Sequence, residues 1–188
     1  MPLRCWNSKS LIRKTTESNN WKTRGDLRGF FYFEWVKQVK IYTEESAFGA
    51  LSKFCAYQER SQFEVERKMR LLKIPGHLHE AVVSKLMEED FLNEYRFTEA
   101  YIRGKLSMKH WAPKRIALGL REHRVPAPMI STGLASIPKE KVLENGRYLA
   151  LRWFGSKSKA QFTGAMQRRG YSFDVINESW EYAEAQEA

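Results

Sequence analysis

From Thr43 onward, apolar residues recur at the i, i+4, i+7 spacing of amphipathic helices, and nearly all of that stretch reads as helix. Thr43 is placed to cap the first helix, with Glu44 and Glu45 in a first turn whose unpaired N–H groups favour carboxylates. Three corners interrupt the pattern: RLLKIPGHLHEAV, LREHRVPAPMIST and MQRRGYSFDVINE. Each has basic residues at a helix end, one apolar residue, a breaker or cap, and then a new helix. In the third, Gly170 supplies the left-handed residue that ends a helix, and Ser172 and Asp174 open the next. Aligned on Ile74, Val125 and Tyr171, the corners recur after 51 residues (125 minus 74) and 46 residues (171 minus 125).

The register holds on both sides of the corner. Before it stand the i, i+4 pairs Val65/Met69, Ile116/Leu120 and Phe162/Met166. After it come the stripes His79/Val83/Leu86, Ile130/Leu134/Ile137 and Ile176/Trp180/Ala183, flanked by Leu78, Met129 and Val175. Upstream, Leu51/Cys55 matches Ile102/Leu106, but the third copy drifts, as a gap or a shortened helix there would produce. Periods of this length mark tandem repeats. The chain is therefore read as all-α, with three-helix repeats over 43–92, 93–141 and 142–188 following an extension over 1–42. A unit of this size cannot bury a large core alone, so stacking on neighbours should contribute to stability.

Residues 1–42 break the pattern. NSKSLIRKTTESNNWKTRGD has no sustained period, and FFYFEWVKQVKIY fits a strand or a short amphipathic helix. Nine Lys/Arg against three acids make this stretch basic, and its role stays open.

Charge narrows the function. The 188 residues carry a formal net charge of +10, which points to a polyanion or an acidic protein surface as partner. Between Arg103 and Arg124 there are seven Lys/Arg (Arg103, Lys105, Lys109, Lys114, Arg115, Arg121, Arg124) against one acid, Glu122. Between Arg147 and Arg169 there are six, including Arg168 and Arg169, and no acid. The first unit adds Arg60, Arg67, Lys68, Arg70 and Lys73, diluted by Glu59, Glu64 and Glu66. Positive charge thus gathers around the second helix of each unit, beside acidic third helices. Stacking could join these segments into one basic stripe.

Catalytic signatures are missing. There is no Gly-x-Ser-x-Gly elbow, phosphate-cradling glycine loop or Cys-x-x-Cys pair, so neither an enzyme nor a cofactor is expected. His77-x-His79 has a metal-like spacing, but His79 falls on an apolar stripe and reads as a satisfied core histidine. Cys5 and Cys55 have no pairing or metal spacing, which suits a reducing compartment. No apolar run approaches the roughly 18 residues of a membrane span. A cytoplasmic monomer is expected.

FLNEYRFTEAYIRGKLSMKHWAPKRIALGLREHRVP, Phe91 to Pro126, resembles the central block of the RecX family, bacterial regulators of the RecA recombinase. QRRGYSFDVI resembles the family's closing repeat, and YTEESAFGALSKFCAYQERSQFEVERKM is similar to its opening repeat. The pattern departs at His110-Trp111-Ala112, where glycines are common, and at Arg124-Val125, where Lys-Gly-Ile is usual. The resemblance implies three three-helix repeats in a curved module that lodges in the groove of the RecA–DNA filament and restrains it. Direct DNA contact through the basic surface is the alternative. It also implies that Phe97, Tyr101, Trp111 and Ile116 are core. The binding set is then Arg103, Lys105, Lys109, Lys114, Arg115, Arg121 and Arg124, with Arg67, Lys68, Arg70, Arg168 and Arg169.

Overall fold

A computed structural model gives the fold of residues 41–187, so the basic N-terminal stretch, except for Ile41 and Tyr42, lies outside the described residues. Among those described are nine α-helices and no strand. They are α1 (Glu44–Tyr57), α2 (Gln62–Leu71), α3 (His79–Glu88), α4 (Glu94–Met108), α5 (Pro113–Glu122), α6 (Ala127–Ala135), α7 (Lys139–Trp153), α8 (Lys159–Arg168) and α9 (Phe173–Glu187). A short 3-10 turn, Gly76–Leu78, leads into α3.

The helices pack in threes. Each group keeps its own apolar core, one centred on Leu51, Val65 and Leu86, one on Ile102, Ile116 and Ile130, and one on Leu149, Phe162 and Ile176. All six residues of the i, i+4 pairs preceding the corners are fully buried. Tyr42 is also buried in the first core, so packing begins just before the first helix. In α3 the buried pair is Val82 and Leu86, with His79 and Val83 only half-buried. His79 Nε2 meets the Ile74 carbonyl at 3.0 Å, tying the helix back to its own corner. Ile137 is half-buried past the end of α6, so that stripe leaves the helix at its last member.

Local chemistry explains the starts and stops. Thr43 and Ser46 form a capping box at α1, and Ser61/Glu64 and Ser158/Gln161 do the same at α2 and α8. At α5 the cap position is Ala112, and Pro113 takes the first turn, where its missing N–H costs nothing. The three corners share one device. Lys73, Arg124 and Gly170 adopt left-handed φ values of 57°, 60° and 87°. The next residue donates its N–H back across the turn: Ile74 to Met69 (3.0 Å), Val125 to Leu120 (3.1 Å) and Tyr171 to Met166 (3.2 Å). This buries the single apolar residue that aligned the corners.

The drift in the third copy does not come from a shortened helix, since α7 has the 15 residues of α4. The connection entering it is shorter, 136–138 against 89–93, and the one leaving it is longer, 154–158 against 109–112.

Each repeat meets the next through the loop before its second helix. At the first junction the Gln62 N–H donates to Glu94 (3.0 Å), Arg96 pairs with Glu59 (3.0 Å), and buried Ser61 lies 3.5 Å from His123. Ser61 and Ala112 stand 51 residues apart, the same offset as the corners. At the second junction the backbone takes over: the Ala112 N–H donates to the Arg169 carbonyl (2.9 Å), and the Tyr171 hydroxyl to the His110 carbonyl (3.0 Å). Buried Asn145 closes this joint, donating to the Leu106 carbonyl (2.9 Å) and meeting His110 Nδ1 at 3.2 Å.

Candidate functional site

Each repeat places a large ring where its first helix ends and gathers two cations around it. Phe54 lies 4.2 Å from the Arg60 guanidinium and 5.5 Å from the Lys68 ammonium. Trp111 lies 5.0 Å from Lys105 and 4.9 Å from Arg115. Trp153 lies 5.4 Å from Lys157 and 4.7 Å from Arg169. Lys105 also sits 4.9 Å from Tyr101, and Arg124 reaches across the first junction to Phe63 at 4.6 Å. A ring face attracts a cation without neutralising it and confines a long side chain before any partner arrives.

Tyr101 and Trp111 pack against the core of the second repeat, as expected, but also face the surface. Both rings are half-buried and hold cations at the surface, whereas Phe97 and Ile116 are buried as expected. A ring followed four residues later by a cation is the signal that could have found them: Tyr101–Lys105, Trp111–Arg115 and Trp153–Lys157. Burial, ahead of the nearby Glu122 charge, raises the Tyr101 phenol above its ordinary range.

The ion pairs use other residues. Among the described residues they join Arg60 to Glu64, Arg96 to Glu59 and Asp90, Lys141 to Glu144, and Arg147 to Glu178, with His123 near Glu64. None of the twelve cations singled out in the sequence has an acidic partner among them. Arg67, Arg70, Arg103, Lys109, Lys114, Arg121, Arg124 and Arg168 are exposed, and Lys68, Lys105, Arg115 and Arg169 are half-buried against their rings.

The fold brings some of these together. The Arg115 backbone packs against Gly170, and Arg169 accepts from Ala112, so Lys114–Arg115 and Arg168–Arg169 meet at the second junction. Lys105 joins Arg115 through Trp111. Arg103 stands apart. Two residues from Lys105, it is turned about 200° around α4 and lines a groove against α6 with Met129 and Ile137. One continuous face including both is therefore not formed.

The remaining candidates for chemistry are structural. Burial pushes the Cys55 thiol up to about 11, as suits an inert core residue. Among the described residues no helix is long and apolar enough to cross a membrane, and no His/Cys/Asp/Glu cluster could hold a metal.

Fold and surface define an all-α tandem-repeat protein, several of whose surface cations are backed by aromatic rings. Residues 93–134 match the family model described as the second three-helix domain of RecX. The regulatory protein RecX of Bacillus mycoides strain KBAB4 is 29% identical over 145 residues, covering 72% of this chain and 54% of that protein. The corresponding Bacillus cytotoxicus protein is 28% identical over the same length and shares. The crystal structure of RecX from Lactobacillus salivarius shares the fold with a TM-score of 0.64 at 22% identity, covering 76% of this chain and 97% of that one. A second crystal structure, of a regulatory protein RecX, gives 0.65 at 17% identity, covering 73% and 71%. In its sequence the chain is similar to regulatory proteins named RecX, and it shares their fold. It spans about half the length of the curated relatives it matches.

Proposed function

We propose that this protein regulates a recombinase filament of the RecA type, binding the protein–DNA filament and restraining its growth, strand exchange and co-protease activity. One observation carries the reading: the twelve singled-out cations have no acidic partner among the described residues, while the ion pairs that do form use other side chains. A filament groove that exposes carboxylates and phosphates would complement such a surface. The five ring-held cations, Lys68, Lys105, Arg115, Arg124 and Arg169, would lose little side-chain freedom on binding. The action is steric and electrostatic, without catalysis, by a cytoplasmic monomer.

Direct binding to the DNA backbone is the second reading, and the same cations favour it, since Lys and Arg on phosphates bind without reading sequence. Recombinase ATP turnover on single-stranded DNA separates the two. Inhibition well below one protein per recombinase subunit supports filament regulation. Inhibition that merely tracks DNA occupancy and collapses steeply with salt supports the second reading.

A further inference from the structure

We propose that the cleft between the first and second repeats is a docking site for a short protein segment carrying an aromatic side chain beside carboxylates. The cleft encloses about 500 Å³. Phe97, Tyr101 and His123 form its floor, with ring centroids 5.2 to 5.8 Å apart, and Met108 at its edge is 79% exposed. Apolar floors with a few directed polar groups are the usual form of an anchor pocket.

The second junction shows why this cleft is open. There α7 presents Asn145, which bonds to both Leu106 and His110, and Tyr148 stacks on His110 at 4.8 Å. Those side chains fill the place between α4 and α7, and the cleft of about 840 Å³ at that junction lies elsewhere, beside Ala112, Lys114 and Tyr171. At the first junction α4 presents Gly104, and a β-carbon there would meet nothing within 4 Å.

Charge selects the occupant. On one rim, Lys105 and Lys109 have no acidic partner among the described residues. On the other, Glu59 is held by Arg96 at 3.0 Å and Glu64 by Arg60 at 3.7 Å. With Glu59 and Glu64 already paired, that rim offers no free cation to the phosphates of a strand crossing the cleft, and the positive charge is confined to the lysine side. An aromatic anchor with carboxylates on one side only puts its ring on the floor and its charge on the lysines.

This inference adds a docking pocket to the filament reading, and its probe is a peptide alone, so either can fail without the other. Fluorescence anisotropy of the full chain with a labelled short peptide, a central Trp followed by Glu-Glu, is expected to show saturable binding. Replacing the peptide's Trp by Ala, or filling the cleft with Gly104→Trp, should each weaken it about tenfold or more. Lys109→Glu, at an exposed site, should do the same if Gly104→Trp fails to fold by circular dichroism. Absence of saturable binding by the wild type overturns the proposal. So does unchanged affinity of the Trp→Ala peptide, or of a folded Gly104→Trp or Lys109→Glu protein. A single-stranded oligonucleotide that binds the wild type and is lost with Gly104→Trp would make the cleft a nucleic-acid site and equally overturn it.

Discussion

Gly170 of the third repeat sits so close to Arg115 of the second that a β-carbon on it would stand 2.5 Å from the Arg115 backbone nitrogen. The same glycine has φ of 87° and ends α8. One residue thus closes a helix and lets a neighbouring backbone approach. The arginines beside it, Arg168 and Arg169, are held at this junction by that closeness and by the Ala112–Arg169 hydrogen bond.

Gly170→Ala should lower stability by about 1–2 kcal/mol from the left-handed backbone alone, and by more from the collision with Arg115. Lys73→Gly should act oppositely. Lys73 holds the equivalent left-handed position at φ 57°, and relieving it should raise stability by about 0.5–1 kcal/mol. Urea denaturation of both variants checks the pair. A Gly170→Ala midpoint equal to wild type would contradict the packing described.

Asn145→Leu should cost about 1–3 kcal/mol, because it strips the buried Leu106 carbonyl and His110 of their partner. Chemical denaturation should show this loss. Amide exchange should quicken first around Ala112 and Tyr171, where the second junction is bonded.

Reversal of two exposed cations, Arg121→Glu with Arg168→Glu, should weaken filament inhibition about tenfold or more while leaving helicity and melting unchanged. Recombinase ATP turnover with circular dichroism measures both. Loss of helicity would show that the charges hold the fold.

Glu94 gives a pH signature. Burial, against the opposing Gln62 N–H bond, raises its carboxyl above the usual range. A raised folded pKa means the favourable contribution is full below the unfolded value and is lost as pH rises through the folded one. Glu94→Gln should therefore melt higher than wild type at pH 7, with the difference shrinking below about pH 4. Asp90 has the opposite sign. Its hydrogen bonds from Arg96 and Asn93 lower its pKa, so its contribution is present at neutral pH and fades as pH falls through the acid range. Thermal melts across that range, with and without Asp90→Asn, separate the two.

The pattern of apolar residues was enough to place the helices and the three corners. A helix's buried stripe and its caps depend on neighbours within a few residues, and these are written in order along the chain. Val65/Met69, Ile116/Leu120 and Phe162/Met166 are legible for that reason, as are Thr43 at its cap and Gly170 at its stop. The cations too could be counted, since charge is a property of composition. Which of them lie together could not be read there. The i, i+4 spacing could have shown the cations on Tyr101 and Trp111, but Lys114–Arg115 and Arg168–Arg169 meet only where the third repeat stacks on the second. The two junctions make the same point. Ser61 and Ala112 hold the same place in their repeats, yet one meets His123 and the other a backbone carbonyl. The sequence by itself determined an all-α chain of repeating units with its charge on the second helices. Tertiary structure alone decided which cations lie together and where clefts open between the repeats. Those outcomes rest on contacts between residues many tens of positions apart, and no local periodicity records them.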